Sequence, residues 1–303
     1  MKVAAHGRGT KVVLVAMRTG DRRAEAEPAL PAGATATIKL RPPGAPAPLL
    51  PRTRLHRVLD DAPRRRLTSV VAGAGFGKST LLAAWASDLN CAWYTASAED
   101  VSLATFARGV ADALRLRVPA LSVDAASAVR AGTGPGTGED DAVRGRGFAA
   151  LLCETLQTEL HRDLVLVLDD VHEIAASAGV IRTIEALCRQ APERLHLVVA
   201  SRDELPFPVE RLRGQGQVLE ITGSQLAFDV DETATLLFDL TGGADPAVAA
   251  DLQRLTGGWP AAVRLASETL RGVPATDIPS ALERMGRPGG PLLAYLAAEV
   301  FGG

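Results

Sequence analysis

One segment of the chain constrains its fold more than any other: an apolar run that passes through a glycine-rich loop into a helix-like stretch. Leu67–Ala72 has the pattern of a buried strand, residues 73–80 read Gly-Ala-Gly-Phe-Gly-Lys-Ser-Thr, and Ser79–Leu89 has helical periodicity. Gly75 and Gly77 permit backbone angles that turn successive N–H groups inward, forming a nest for an anionic phosphate chain. The helix N-terminus adds unpaired donors and partial positive charge. The segment therefore predicts a P-loop.

The residues of this loop have distinct predicted roles. Lys78 is placed to reach the β- and γ-phosphates as a compact cation, and Ser79 offers a hydroxyl ligand to Mg²⁺. After residue 39, Lys78 is the single lysine of a chain that otherwise uses arginine. The first position of the usual eight-residue pattern is Ala72 rather than glycine, and a glycine-rich turn without a ligand is the alternative interpretation. The predicted nucleotide-binding residues of the loop are Gly73, Ala74, Gly75, Phe76, Gly77, Lys78, Ser79 and Thr80.

Two further apolar runs end in polar residues that suit a phosphate site. Leu164–Leu168 is followed by Asp169 and Asp170, and Leu195–Ala200 is followed by Ser201 and Arg202. Ligands gather at the carboxyl ends of parallel strands, so we expect Asp169 to hold Mg²⁺ and Asp170 to orient or deprotonate an attacking water. Arg202 would contact the γ-phosphate and distinguish ATP from ADP. A helix cap or solvated turn for the aspartates, and an ordinary surface position for the arginine, are the alternatives.

The order of strand and helix patterns predicts an α/β fold: a P-loop NTPase parallel sheet flanked by helices, followed by a small helical lid domain. The expected divisions are a disordered proline- and arginine-rich segment at 1–48, the sheet domain at 49–225, the lid at 226–272 and the start of a further domain at 273–303. The predicted strands are Leu67–Ala72, Ala92–Thr95, Leu164–Leu168, Leu195–Ala200 and Val218–Ile221. The predicted helices are Ser79–Leu89, Leu103–Leu116, Phe148–Glu159, Ala178–Gln190, Pro208–Arg213, Val230–Leu240, Pro246–Leu255 and Trp259–Arg271, with a flexible insert at Ala131–Gly138 and an apolar stretch at Leu292–Phe301.

Composition excludes several classes of protein. No apolar run reaches 18 residues, so we expect no membrane span. The three cysteines are odd in number and widely spaced, which excludes a disulfide framework and favours the cytoplasm. Residues 1–66 hold 14 Lys+Arg against 5 Asp+Glu, while residues 67–303 hold 19 against 30. The acidic balance of the larger part argues against direct DNA binding by it.

Taken together, these motifs resemble the ATP-binding region of STAND-class signalling ATPases, nearest to the MalT-like, large LuxR-type transcriptional regulators. The residues that carry the resemblance are Leu50–Leu55, Ala72–Trp85, Leu166–His172, Val199–Arg202, Leu205–Arg213, Leu226–Phe228 and Leu255–Leu265. The resemblance covers roughly residues 49–272, and the order and spacing of the motifs agree as well as the loop itself.

The resemblance implies a switch that rests with ADP, self-associates with ATP and an inducer, and resets by slow hydrolysis. It places Pro260 near the adenine and Arg52 near the base or sugar. In the family a winged helix, helical sensor repeats and usually a DNA-binding module follow. Residues 273–303 would begin the winged helix, so the chain is either a truncated reading frame or a switch that borrows its output from a partner. The rival functions are a P-loop kinase or other ATP-dependent enzyme, a degenerate scaffold that binds nothing and, more remotely, an ABC-type ATPase.

Overall fold

A computed structural model describes residues 36–130, 138–243 and 245–287 of the chain. Its centre is a five-stranded sheet in which all pairings are parallel, in the order β2-β3-β4-β1-β5. Each predicted strand is confirmed to within one residue at either end. The strands are β1 (Leu67–Val71), β2 (Cys91–Thr95), β3 (Leu164–Asp169), β4 (Leu195–Ser201) and β5 (Val218–Thr222).

Twelve α-helices lie within the described ranges, and five short 3₁₀ turns accompany them. The helices are α1 (Thr53–Leu59), α2 (Lys78–Ala86), α3 (Leu103–Arg115), α4 (Ala125–Arg130), α5 (Gly138–Glu159), α6 (Ala178–Gln190), α7 (Glu210–Gly214), α8 (Gly223–Leu226), α9 (Val230–Thr241), α10 (Pro246–Thr256), α11 (Pro260–Leu270) and α12 (Ile278–Met285). The 3₁₀ turns are Thr37–Leu40, Ala62–Arg64, Ala98–Val101, Val171–Ile174 and Ala275–Asp277.

The sheet is covered on both faces because its strands are apolar on both. Alternate residues of β2 show this division: Ala92 and Tyr94 pack with α3, α5 and α6, whereas Cys91 and Trp93 pack with α1 and α2. Strands buried on both sides read as continuous apolar runs, which is why their sequence pattern was easy to identify. The result is a three-layer α/β/α arrangement.

The register of the sheet brings the ends of three strands to one edge. Val71 of β1 pairs with Ser201 of β4, Leu168 of β3 pairs with Val199 of β4, and Thr95 of β2 pairs with Asp169. Strand β4 therefore lies between β1, which leads into the glycine-rich loop, and β3, which ends in the aspartates. Because parallel strands share one carboxyl edge, the predicted loop and the predicted acidic residues meet there.

Helices α9 to α12 form a second apolar cluster beside the sheet. Asp229 caps α9 by accepting from the Glu232 backbone N–H, and Asp245 caps α10 in the same way from Ala247. Helix α12 contributes Leu282 and Met285 to this cluster, although its sequence lies in the segment expected to begin a further domain. The boundaries proposed at residues 225 and 272 stay predictions.

Some predicted elements differ in the structure. Helix α5 begins ten residues before the predicted start at Phe148, because the polar run ahead of it supplies acidic residues to the first turn of the helix, where they are favourable. Helices α1, α4, α8 and α12 were not predicted, since each is short. Residues 1–35, residues 131–137 of the predicted insert and the apolar stretch at 292–301 lie outside the described residues.

The segment just before α1 is packed against the fold, which corrects the expectation of disorder as far as residue 48. Leu40 is buried in the sheet core, and Lys39 Nζ lies 2.7 Å from Oδ2 of the buried Asp100. Residues 42–51, here called the proline strap, continue from there to α1. They contain no helix or strand, and the contacts that hold them come from residues distant in sequence.

No helix in the described ranges combines the length and the apolar character that crossing a bilayer requires. The three cysteines are free and buried. Burial raises the pKa of the Cys153 thiol to about 11, so this side chain acts as a small apolar group.

Replacing Lys39 by methionine tests whether this N-terminal segment is part of the fold. The change leaves the buried Asp100 carboxylate without its cation, although Ser97 still donates to it from its backbone and side chain. We expect the free energy of unfolding to fall by about 3 kcal/mol, the lower end of what breaking a buried ion pair costs. Denaturant unfolding measures this loss. Lys39→Arg is the control that keeps the charge, and an equal stability of all three proteins would contradict the packing described here.

Candidate functional site

The glycine-rich loop adopts the conformation that its glycines were expected to supply. Gly75 and Gly77 have φ angles of 71° and 76°, in the left-handed region that favours glycine. Gly77 is also the N-cap of α2, so the helix begins at Lys78. A Cβ atom added at Gly77 would meet nothing within 4 Å, so the space beside this residue is open.

Four consecutive carbonyl groups, from Ala72 to Gly75, accept hydrogen bonds from donors in α2 and at the start of α11. Lys78 Nζ donates to the carbonyls of Ala72 and Gly73, at 2.7 and 3.1 Å. The indole Nε1–H of Trp259 donates to the Ala74 carbonyl at 3.0 Å, and the backbone N–H of Ala261 donates to the Gly75 carbonyl at 3.1 Å. Satisfied carbonyls fix the orientation of the peptide planes, so the loop is held from its own helix and from the N-terminus of α11.

Lys78 is buried and lies among the charges of the strand ends. Burial lowers the pKa of its ammonium group, while Asp170 and Asp169 act in the opposite direction. Its ammonium group makes two hydrogen bonds to neutral carbonyls. Since charged acceptors bind an ammonium more strongly than carbonyls do, an anion in front of the loop would draw Lys78 away from Ala72 and Gly73.

Asp169 is buried at the end of β3, with 1% of its surface exposed. Burial is the main cause that raises its pKa to about 6, and the neighbouring charge of Asp170 adds to it. A hydrogen bond with Ser79 and one from the Asp170 backbone N–H, at 3.1 Å, favour the ionised form. Burial disfavours the ionised form of this carboxyl group, and a nearby cation would stabilise that form.

The donor set fits a magnesium ion. Magnesium prefers oxygen ligands and usually binds through one or two protein groups, with phosphate oxygens and waters supplying the rest. The Ser79 hydroxyl and the Asp169 carboxylate lie within hydrogen-bond reach of each other at the mouth of the loop. Among the described residues there is no group of three or more His, Cys, Asp or Glu side chains that could hold a metal by itself. The site therefore suits a metal that arrives with a phosphate ligand.

Asp170 sits on a turn with unusual backbone geometry. Its φ angle is 57°, the one left-handed value of a residue other than glycine in the described ranges. Aspartate tolerates this region better than most residues, and such values concentrate at functional sites. His172 follows in the same turn, with Nδ1 at 3.9 Å from Asp170 Oδ1, and burial lowers the pKa of its ring. Asp170 is half-buried, so its carboxylate is accessible to solvent near Lys78.

Arg202 is exposed just after β4. Its charge lowers the pKa of both Lys78 and His172, which places it on the same side of the sheet as these two residues. Ser201, the last residue of β4, is fully buried, and its carbonyl accepts from the Ala72 backbone N–H at 3.2 Å. The strand thus ties the start of the glycine-rich loop to the base of Arg202.

A cavity of about 700 Å³ opens between the loop, the proline strap and the lid helices. Gly75, Gly77 and Thr80 line one end, and Phe228 and Leu236 line it from the lid side. Prolines of the strap and Pro260 at the start of α11 also line the cavity, and its lining is mostly apolar. Binding cavities for small molecules are concave and mostly apolar with a few polar groups, and this one suits a planar base joined to a phosphate chain.

Arg52 lines the cavity, yet its guanidinium is already engaged by the lid. Nε donates to Glu232 Oε1 at 3.0 Å, Nη2 donates to the Leu226 carbonyl at 2.8 Å, and the group stacks over the Phe228 ring at 4.7 Å. Burial lowers the pKa of Arg52, and the Glu232 charge opposes this effect. Contact with a base or sugar stays a prediction, and the contacts present join the start of α1 to α8 and α9.

Two lining residues, Arg264 and His56, were not selected from the sequence. Arg264 donates to the Pro48 carbonyl at 3.0 Å and to the Ala47 carbonyl. His56 has a buried Nε2 without a hydrogen-bond partner among the described residues. No local sequence signal marks these two residues, because the partners of Arg264 lie 216 and 217 positions away in the chain and His56 Nε2 has none in the described ranges.

Comparison with known proteins gives consistent results. Residues 51–200 match the family described as AAA ATPase domain. The chain is 34% identical over 259 residues to the serine/threonine-protein kinase PknK of Mycobacterium tuberculosis, covering 81% of this chain and 22% of that protein. It is 28% identical over 230 residues to the transcriptional regulator MalT of Vibrio parahaemolyticus, covering 75% of this chain and 24% of that protein. The chain thus spans less than a quarter of the length of either relative.

Among solved structures, the Walker-type ATPase PABY2304 of Pyrococcus abyssi superposes with a TM-score of 0.51 at 11% identity. The match covers 88% of this chain and 78% of the other. At this identity the likeness concerns the fold alone, and it agrees with the parallel sheet and flanking helices described above.

Replacing Asp169 by asparagine tests the electrostatics of the strand end. The folded pKa of about 6 lies above the ordinary value of 3.8, so the folded protein binds an extra proton between about pH 4 and pH 6 and loses stability as the pH rises through that range. At pH 7 the asparagine variant should therefore be more stable than the wild type by about 2–3 kcal/mol, and the difference should vanish near pH 4.

Chemical unfolding at a series of pH values measures this effect. Asp88→Asn, at an exposed carboxylate after α2, is the control and should change stability by no more than about 0.5 kcal/mol. If Asp169→Asn is less stable than the wild type at pH 7, or if the difference in stability does not depend on pH, the fold does not disfavour the ionised form of Asp169.

Proposed function

We propose that this chain, whose residues 51–200 match the AAA ATPase domain family and which is similar to MalT-like signalling ATPases, binds Mg-ATP and Mg-ADP as a nucleotide-dependent switch in transcriptional regulation. The observation that supports the proposal most is the loop itself. Its four carbonyls from Ala72 to Gly75 are occupied by protein donors, and Gly75, Gly77 and Thr80 line an open cavity. Such a loop presents its N–H groups to an anion.

In the proposed complex the phosphates lie against the loop from Gly73 to Thr80, and the base lies in the apolar cavity. Pro260 would contact the adenine from the lid side, and Lys78 would exchange its carbonyl acceptors for β- and γ-phosphate oxygens. Ser79 and Asp169 would hold Mg²⁺, which neutralises charge on the phosphates when bound. Guanine is a poor fit, because the described residues that line the cavity include no carboxylate that could accept from its ring N–H and amino group.

Hydrolysis is the proposed reset of the switch. A water molecule attacks the γ-phosphorus, the bond to the β,γ-bridging oxygen breaks, and ADP and inorganic phosphate result. Asp170 is the proposed group that orients this water and takes up its proton, since its carboxylate is half-exposed near Lys78. We propose that the rate is slow, as in switches whose bound nucleotide defines a lasting state.

The switch itself requires that ATP and ADP stabilise two conformations to different degrees. Arg202 and the start of α11 are the proposed sources of this difference, because the charge of Arg202 acts on Lys78 and the start of α11 joins the lid to the loop. Output would come through self-association or through a partner that supplies sensing or DNA binding. The relatives are a kinase and a regulator several times longer than this chain, so the activity of either whole protein is not transferred to it.

Two other functions are tested by the same preparation. A P-loop kinase would transfer phosphate from ATP to nucleosides or small alcohols, whereas the proposed switch would give only ADP and phosphate. A scaffold that binds nothing would keep its melting temperature in saturating Mg-ATP. A ligand at 100 times its dissociation constant should instead add about 2.7 kcal/mol to the free energy of unfolding.

Lys78→Ala should remove most nucleotide affinity. The substitution deletes the cation that faces the phosphates while leaving the cavity for the base unchanged, so we expect at least a tenfold rise in Kd for both Mg-ATP and Mg-ADP. Titration calorimetry on wild type and variant measures it. Arg162→Ala, at an exposed arginine before β3, is the control for loss of a positive charge elsewhere. Equal affinities in all three proteins would refute a phosphate site at the loop.

Arg202→Ala should narrow the discrimination between ATP and ADP. The side chain is expected to touch only the γ-phosphate, so ATP affinity should fall by about five- to tenfold while ADP affinity changes little. Arg202→Lys, which keeps the charge but loses the planar fork, should fall between the two. Equal losses for both nucleotides would mean that Arg202 does not read the γ-phosphate.

A further inference from the structure

The N-terminus of α11 contacts the glycine-rich loop through polar groups as well as through aromatic rings. Trp259 Nε1 lies 3.0 Å from the Ala74 carbonyl, and the Phe76 and Trp259 rings have centroids 6.3 Å apart. A Cβ atom added at Gly75 would lie 2.7 Å from Ala261 Cβ and 2.9 Å from Trp259 Nε1. The lid and the loop are therefore in direct contact, and a glycine at position 75 is what permits it.

The direction of these contacts determines the direction of the loop amides. The peptide bonds of the loop are trans, and in a trans peptide the C=O and N–H bonds point to opposite sides. The Ala74 carbonyl turns outward to Trp259, so the N–H of Gly75 turns inward. The Gly75 carbonyl turns outward to Ala261, so the N–H of Phe76 turns inward as well. Two donors of the phosphate nest thus owe their orientation to the lid.

The carbonyls of Ala72 and Gly73 would lose their donor when a nucleotide binds. Lys78 holds the carbonyls of Ala72 and Gly73, and in the proposed complex its ammonium moves to the phosphates. The bonds from Trp259 and Ala261 make no use of any group that binds phosphate, so they can persist in the complex. The lid is then the support on which the orientation of the loop depends when phosphate is bound.

We infer that Trp259 is a positioning residue for nucleotide phosphates: its indole N–H, together with the Ala261 N–H, orients the amides of Gly75 and Phe76 toward them. This inference rests on the proposed nucleotide site and deepens it. It also couples the lid to the ligand. A lid that orients the phosphate donors raises phosphate affinity, and by reciprocity bound phosphate favours the lid contact to the same extent.

The test compares ligands with and without phosphate on variants that change one bond. Trp259→Phe keeps an aromatic ring beside Phe76 and removes the N–H donor to the Ala74 carbonyl. We expect its Kd for Mg-ADP and Mg-ATP to rise about tenfold, the effect of one hydrogen bond, while its Kd for adenosine stays within about twofold of the wild type. Trp85→Phe, at a buried tryptophan of α2, is the matched control. It should change the Kd for Mg-ADP and the Kd for adenosine by the same factor relative to the wild type.

Two glycine variants give a second, independent comparison. Gly75→Ala and Gly77→Ala carry the same backbone strain, since both glycines have left-handed φ angles, but only the first added methyl group meets the lid. In the free protein, Gly75→Ala should expose Trp259 to a fluorescence quencher several-fold more than Gly77→Ala does. Trp85 and Trp93 stay buried in both variants and set the background of the measurement.

The outcomes separate this inference from the function on which it rests. Absence of ADP binding by the wild type would overturn the proposed function and the inference with it. If the wild type binds ADP, but Trp259→Phe binds it unchanged or loses adenosine affinity in the same proportion, the inference alone is overturned. Equal quenching in the two glycine variants would likewise show that the lid does not lean on Gly75.

Discussion

The site depends on one constraint: a backbone loop can bind an anion only when its amides point inward, and they stay so only if the carbonyls have partners outside. In this chain four successive carbonyls, from Ala72 to Gly75, accept from Lys78, Trp259 and Ala261. Lys78 lies five to six positions from its acceptors in sequence, whereas Trp259 and Ala261 belong to the lid. Unpaired buried carbonyls would cost free energy, so the loop and the lid stabilise each other.

Charge is the second feature that the fold concentrates at the strand ends. Lys78 and Asp169 are both buried. Burial lowers the pKa of Lys78 and raises the pKa of Asp169, so it favours the neutral form of each. The protein tolerates this cost at a place where a divalent cation and a phosphate chain would supply the missing opposite charges. Asp170, in a left-handed backbone conformation beside them, adds a carboxylate that faces solvent. Strain and desolvation in the same few residues are typical of a site that is built for a ligand.

Much of the architecture could be predicted because its signals are local. Strand β3 is a continuous apolar run as far as Leu168 and the other strands are mostly apolar, so their limits were found to within one residue. The glycine-rich loop carries its conformation in Gly75 and Gly77. The ordering of residues 36–48 could not be predicted. Its proline-rich composition indicates extended backbone but not the bonds from Lys39 to Asp100 and from Arg264 to the Pro48 carbonyl. Those bonds join residues 61 and 216 positions apart.

The sequence by itself determined which residues we expect to bind phosphate and metal, because glycine, lysine, serine and aspartate at that spacing have few other uses after a buried strand. Tertiary structure decided what surrounds them. The strand order places β4 between the loop and Asp169, the strap and lid enclose the cavity, and Arg52 is engaged by Glu232. It also decided that Trp259 faces a loop carbonyl 185 positions away. Such contacts depend on how whole elements pack, and the free energy of packing is a property of the folded chain that no local pattern records.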